Sequence, residues 1–183
     1  MKVLILDGNP DDDKKFDEYL ERLSTVLESS NHIVTILTLK DMDIRYCIGC
    51  FGCWVKTPGE CSNAADDTAL VCREYINSDM VIFASPVIMG FTSALLKKAH
   101  DRLLPLLTPY IRLFEGETHH IARYDKYPLI CLLLQSNGNT DAEDIEIISE
   151  IYRRDAINFK SSVIFTKTMS HPVEEVTDAI VGI

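Results

Sequence analysis

Five short apolar runs, each closing on turn residues and each parted from the next by a segment of helical spacing, restrict this chain to an alternating strand and helix architecture. The first, Val3 to Leu6, stops at Asp7-Gly8-Asn9-Pro10, where glycine and proline turn the chain. Ile33 to Leu39 is rich in β-branched residues, and Met80-Val81-Ile82-Phe83-Ala84 runs into Ser85-Pro86. Leu129 to Leu134 leads into the turn residues Gln135-Ser136-Asn137-Gly138-Asn139, and Val163-Ile164-Phe165 is the last run. Strands that are apolar throughout, rather than at alternate positions, belong to a parallel sheet covered on both faces. Pro86 is expected to end the third strand, because proline cannot donate to a ladder.

Between the strands the apolar period lengthens. Phe16, Tyr19, Leu20, Leu23 and Leu27 recur at three- and four-residue steps, as one buried helix face requires. Val71, Cys72, Tyr75 and Ile76 mark a short helix behind Asp66 and Asp67, whose charges suit a helix amino terminus. Thr92 is the expected cap of a helix burying Leu95, Leu96, Ala99 and Leu103, with Pro105 at its end. Thr140-Asp141-Ala142-Glu143 has the spacing of a capping box ahead of Ile145, Ile148 and Tyr152, and His171-Pro172 opens a last short helix. Pro109 to Tyr127 has no clean period and is expected to be an irregular excursion.

A length of 183 residues fits one domain, 1–183. Five strands suit a doubly wound α/β sheet of flavodoxin-like order 2-1-3-4-5. In such a sheet ligands bind beyond the carboxyl ends of the strands, where the order reverses between the first and third. That directs attention to residues 8–15, 85–90 and 135–140. The 18 basic residues against 28 acidic ones, a net charge of −10, oppose nucleic acid and anionic membrane surfaces as partners. The amino-terminal apolar run meets Asp7 too soon for a signal peptide or a membrane span, so the cytoplasm is the expected compartment. In a reducing compartment six cysteines call for metal, redox chemistry or packing rather than disulfides.

Two segments carry more specific chemistry. Ser85-Pro86-Val87-Ile88-Met89-Gly90-Phe91-Thr92-Ser93-Ala94-Leu95-Leu96-Lys97-Lys98, with Asp101-Arg102, resembles the loop-and-helix signature of NADPH-dependent FMN reductases. A loop leaving a buried strand can offer backbone N–H groups and flat apolar contact to an isoalloxazine ring, and the small Gly90 permits close approach. The second segment, Cys47-Ile48-Gly49-Cys50-Phe51-Gly52-Cys53-Trp54-Val55-Lys56-Thr57-Pro58-Gly59-Glu60-Cys61, has the form C-x2-C-x2-C-x7-C. Closely spaced thiols can wrap one small inorganic core. The spacing is similar to the compact motif of iron–sulfur flavoproteins, which share the flavodoxin-like fold. That resemblance implies a [4Fe–4S] cluster on Cys47, Cys50, Cys53 and Cys61. Zinc on the same thiols and a metal-free strip remain open, because a zinc site usually has two separated C-x2-C pairs and a ferredoxin run ends in Cys-Pro, whereas Cys61 precedes Ser62.

The resemblance implies an FMN-dependent oxidoreductase that takes hydride from NAD(P)H and passes electrons to an acceptor the sequence does not identify. Its relatives complete the flavin site at a subunit interface, which implies a homodimer or homotetramer. The residues it points to for the flavin are Asn9, Pro10, Lys14 and Lys15 for the phosphate, Ser85, Pro86, Val87, Ile88, Met89 and Gly90 for the ring, and Gln135, Ser136, Asn137 and Gly138 for further polar contacts. The first of these groups departs from the family, whose turn is usually basic or hydroxyl-rich. Here Asp11-Asp12-Asp13 precedes Lys14-Lys15, so the acids either oppose a phosphate or form the solvated start of a helix. Tyr46, Phe51 and Trp54 are suited either to stack on a flavin or to pack the loop, and His119, His120 and Arg123 either to line the pocket or to sit incidentally in a surface loop. A zinc-stabilised or cofactor-free module binding a partner through the cysteine loop is the reading from a different class.

Overall fold

The structure, a computed structural model, describes residues 1–63 and 65–182. Its main sheet contains β1 (Lys2–Asp7), β2 (Ile33–Thr38), β3 (Met80–Ile88), the two-residue β4 (Phe91–Thr92), and the later strands β7 (Leu129–Gln135) and β8 (Val163–Thr168). The parallel order β2-β1-β3-β7-β8 is the flavodoxin-like 2-1-3-4-5 expected from the five runs. A separate antiparallel pair, β5 (Leu107–Phe114) and β6 (Glu117–Ala122), fills the stretch expected to be irregular. The register of that hairpin shifts between Leu107 and Ile111, where Pro109 lies, and six of the eight β5 residues are exposed. A strand with neither a buried face nor an unbroken ladder leaves little periodic trace in a sequence.

Among the described residues there are six α-helices: α1 (Lys14–Ser29), α2 (Gly52–Val55), α3 (Thr68–Asn77), α4 (Ala94–Asp101), α5 (Ala142–Asn158) and α6 (Val173–Val181). Alternation along the strands sorts the core into two layers. Val3, Ile5, Met80, Ile82, Cys131 and Leu133 pack with Phe16, Leu20, Leu23 and Leu27 of α1 and with Val176 and Ile180 of α6. Leu4, Leu6, Val81, Phe83 and Leu132 face the other way, toward Tyr75 of α3, Leu96 and Ala99 of α4, and Tyr152 of α5. The helix after β1 and the helix before β3 therefore cover opposite faces. In sheets of this topology such a reversal marks the ligand-binding end, here at the carboxyl ends of β1 and β3.

Three local expectations shift. The chain runs straight through Pro86 to Ile88 instead of ending there. Gly8 N donates to Ala84 O, so the backbone groups of Ala84, and of Pro86 two residues on, face β1, which has already ended. The missing proline N–H therefore costs no ladder bond. Ser93, not Thr92, caps α4, its Oγ accepting from Leu96 N. The capping box at α5 is likewise one residue later, with Asp141 Oδ1 accepting from Asp144 N and Asp144 Oδ2 from Asp141 N.

Candidate functional site

At the carboxyl-terminal edge of the sheet, the loops after β1, β3 and β7 are hydrogen-bonded to one another. Ser93 Oγ donates to Gly8 O, and Ser93 N donates to Ser85 Oγ, which in turn donates to Pro86 O. Asn137 Nδ2 donates to Val87 O at 2.8 Å, and Gln135 Nε2 to Asp13 Oδ2 at 2.8 Å. Gly8 is required where it stands: a Cβ there would lie 2.5 Å from Leu96 Cβ and 3.1 Å from Ala84 O. The chain leaves β3 and turns back into β4 through Met89 (φ +53°) and Gly90 (φ +76°), the paired positive angles of a tight hairpin. The turn leaves Ile88 exposed and Met89 99% exposed, an apolar projection at this edge of the sheet.

The residues singled out for a flavin thus converge on one edge, in different environments. Asn9 is buried, its backbone N–H donates to Asp7 Oδ1, and its Nδ2 has no partner among the described residues. Pro10, Lys14 and Lys15 are exposed. Ser85 and Val87 are buried, Pro86, Gly90 and Gln135 half-buried, and Ser136, Asn137 and Gly138 exposed. Of the three acids, Asp12 pairs with Lys40 at 2.9 Å in water. Asp13 caps α1, its Oδ1 accepting from Lys15 N and Phe16 N, and the Gln135 amide first, then the helix N–H groups, hold its carboxyl below the usual range. Burial raises the carboxyl of Asp7 against the bond from Asn9 N.

Cys47, Cys50, Cys53 and Cys61 line one concavity, together with Arg102, Leu104 and Pro105 beyond the end of α4. Its free space is about 20 Å³, room for roughly one water. Among the described residues no three His, Cys, Asp or Glu side chains stand close enough to hold a metal ion. The thiols nonetheless feel one another. Burial pushes the Cys53 thiol up, and neighbouring Cys61, Cys47 and Cys50 add to it, whereas the Gly52 N–H and the Ser62 hydroxyl hold exposed Cys50 below its ordinary value. Cys72 and Cys131 are different: burial drives each up to about 12, leaving unreactive thiols in the packing.

A network that sequence reading did not detect closes the neck of this loop. Asp66, a helix-start acid by its position, has its side chain wholly out of solvent and ion-paired with Arg102 at 2.9 Å. Its carboxylate also accepts from Arg45 N and Thr68 N, the chain on either side of the cysteines, while Arg102 Nε donates to Thr68 Oγ1. Burial opposes the charge on Asp66, but the bonds from Arg45 and Thr68 and the Arg102 guanidinium hold its carboxyl low. Trp54 packs the loop, stacked on Phe51 at 5.1 Å with its Nε1 donating to Leu107 O. His119 lies buried on β6, His120 packs against Trp54, and Arg123 donates to Pro105 O and Leu107 O, so all three serve the hairpin. Ser93 and Arg102 stand nine residues apart along α4, which puts the cysteine concavity roughly 13 Å from the three-loop edge.

A glycine-tight first loop, a strand running through Ser85-Pro86 into a short hairpin, and a capped α4 behind it make one continuous unit. Residues 1–124, which contain all of it, match the sequence profile of the family described as NADPH-dependent FMN reductase. The chain belongs to that family. Among proteins similar to this FMN reductase family member is an iron-sulfur flavoprotein of Methanocaldococcus jannaschii, 29% identical over 106 residues that cover 58% of this chain and 53% of the relative. An iron-sulfur flavoprotein of Archaeoglobus fulgidus is 34% identical over 105 residues, 57% of this chain and 46% of the relative. The chain spans about half the length of the curated relatives it matches. Its fold is that of an NAD(P)H:quinone oxidoreductase from Methanothermobacter marburgensis, with a TM-score of 0.65 at 18% identity over 99% of this chain and 92% of that one. An azoreductase from Bacillus anthracis gives 0.63 at 15% identity, covering 100% and 95%.

Proposed function

We propose that this FMN reductase family member is a flavin-dependent NAD(P)H oxidoreductase, with the flavin seated across the three-loop edge. The observation that carries this reading is the cross-linking of loops far apart in sequence by Ser93, Asn137 and Gln135, which preorganises a crevice at the point where the strand order reverses. When bound, FMN would supply the acceptance of hydride from a nicotinamide and its return as electrons. The chain's part is to bind and orient. Residues Ser85 to Gly90 offer backbone and apolar contact to the ring, and Ile88 and Met89 shield its rim from water. Gly138 lies in open space at the other side, and the unpartnered Asn9 Nδ2 offers a buried donor to the ribityl chain. The residues present fit the ring and ribityl portion; the helix end, already capped by Asp13, fits the phosphate less well.

A metal on the four cysteines, a [4Fe–4S] cluster foremost, is supported by their shared concavity and by the names of the two archaeal relatives. The donor chemistry suits a soft metal. Of the four thiols, Cys47 and Cys50 are exposed and Cys53 is buried. Assembly as a dimer or tetramer is supported by the apolar face of the β5–β6 hairpin, where Tyr110, Ile111 and Leu113 are exposed. No described helix is long and apolar enough to cross a membrane.

Anaerobic purification followed by visible spectroscopy and NAD(P)H oxidation tests the function. Yellow protein that oxidises NADH or NADPH in the presence of a quinone is expected, and brown protein adds the cluster. Colourless protein that takes up neither added FMN nor riboflavin would falsify the flavin reading.

A further inference from the structure

Helices α4 and α5 cover the same face of the sheet and leave a cavity of about 250 Å³ between them. Phe91 of β4, Leu107, Ile151 and Phe159 supply apolar walls, and the rings of His100 and Tyr152, stacked 5.1 Å apart with 9° between their planes, supply a flat one. An apolar cavity of about 150 Å³ admits one benzene ring, so a space of this size admits two fused rings. The polar groups are as definite as the walls. His100 Nε2 donates to Asp155 Oδ2 at 2.7 Å, which fixes the imidazole and leaves Nδ1 as the acceptor. That nitrogen makes no hydrogen bond and is not shut off from solvent, whereas one ring nitrogen of each of His32, His119 and His120 is buried without a partner. Lys97 pairs with Asp101 across one turn of α4 at the same cavity. His100 lies seven residues beyond Ser93 along α4, about 10 Å from the three-loop edge, and none of the residues singled out for the flavin or for a metal lines the space.

We propose that this cavity is a second ligand site, which takes a neutral planar phenol or hydroquinone of up to two fused rings with its hydroxyl donating to His100 Nδ1. The ring system is called for by the flat wall of His100 and Tyr152 and by the apolar residues around it. The hydroxyl is called for by the free nitrogen. Asp155 keeps the imidazole proton on Nε2, so the lone pair stays on Nδ1, and a ligand that covered Nδ1 without donating to it would leave a desolvated acceptor. Neutrality follows from the charges at the cavity. Two carboxylates, Asp101 and Asp155, stand against one ammonium, Lys97, so a carboxylate or phosphate ligand meets repulsion that a phenol does not. A tie between α4 and α5 accounts for the His100–Asp155 bond, but not for an open space beside it that close packing would fill. The site stands apart from the flavin reading and does not depend on it.

The test is titration of the full chain with 2-naphthol and, separately, with its methyl ether, which has the same rings and no donor. Binding is read from the NMR methyl signals of Ile151 and Leu107, which line the cavity. The parent is expected to bind 2-naphthol with a Kd of about 0.1–1 mM and the ether about tenfold more weakly, the size of one hydrogen bond to a nitrogen otherwise left unpaired. His100→Phe keeps a ring against Tyr152 and removes the acceptor, and it is expected to bind the two ligands equally. Excess FMN is expected to leave the naphthol affinity unchanged. No saturable shift of those methyl signals by about 5 mM 2-naphthol overturns the proposal. So does a parent that binds naphthol and ether equally, a folded His100→Phe variant that keeps the parent's preference, or displacement of the naphthol by FMN, which would put the ring in the flavin site. The comparison of the two ligands on the parent decides the matter even where the variant does not fold.

Discussion

The three-loop edge and the cysteine concavity stand at opposite ends of α4, and they are built by opposite means. At the edge, groups distant in sequence are locked together by hydrogen bonds between neutral side chains and backbone, with Ser93 joined to Gly8 and Asn137 to Val87. Those bonds fix the three loops relative to one another. At the concavity the working groups are close in sequence, and what comes from far away is the buried Asp66–Arg102 pair that closes the neck. The tips, Cys47 and Cys50, are exposed and held by little else. At the edge the long-range bonds join the loops to one another, whereas at the cysteine loop they lie at its neck.

The comparison is broken most severely at Arg102. Replacing Arg102 by Ala leaves the Asp66 carboxylate buried and unpaired, a change that costs about 3–5 kcal/mol. A urea midpoint lowered accordingly is expected, with flavin retained in solutions where the variant is still folded; loss of flavin from folded variant would show that the two regions are not separable. At the other end, Gly8→Ala drives a Cβ against Leu96 and Ala84, and overpacking of this kind costs about 1–3 kcal/mol. Here flavin affinity is expected to fall while whatever iron or zinc the parent carries is carried equally by the variant, as metal analysis would report.

Acid sensitivity should track the concavity. The carboxyl of Asp66 is held below its ordinary 3.8, so its stabilising effect is complete above that value and is lost as pH falls through the lower folded value. The sign follows because the unfolded chain binds the proton first on descent. Asp66→Asn is expected to flatten the fall in stability below about pH 4, measured by urea unfolding across pH. A slope equal to the parent's would remove Asp66 from the neck's energetics. The smallest effect on stability is expected at Cys50, which is exposed: Cys50→Ala should move the urea midpoint by no more than about 0.5 kcal/mol equivalent. If the loop carries a cluster, the same variant loses stoichiometric iron and sulfide and keeps its flavin; equal iron in variant and parent would refute the cysteine assignment.

Most of the sheet was legible in the residues because its strands are buried on both faces, and an apolar run such as Leu129–Leu134 has few other places to go. The β5–β6 hairpin was not, since its exposed strands and Pro109 erase the alternation by which a strand is read. The candidate flavin residues were reached as three separate loops, and the structure brings all three to one edge. Their linkers were not reached: Ser93 was passed over for its neighbour Thr92, and either hydroxyl satisfies a capping pattern. Asp66 read as a helix-start acid because a partner 36 residues away leaves no local signature.

The sequence by itself determined the order of the five parallel strands and of the helices α1, α3, α4, α5 and α6, together with the spacing of the four cysteines, because periodicity and spacing are properties of neighbours along the chain. Only the tertiary structure decided that Asp13 ties its second carboxylate oxygen to Gln135, that Arg102 closes the cysteine loop, and that the thiols stand at the far end of α4 from the three-loop edge. Those are contacts between residues tens to more than a hundred positions apart, and such pairings are fixed by how the elements pack, not by what precedes or follows each residue.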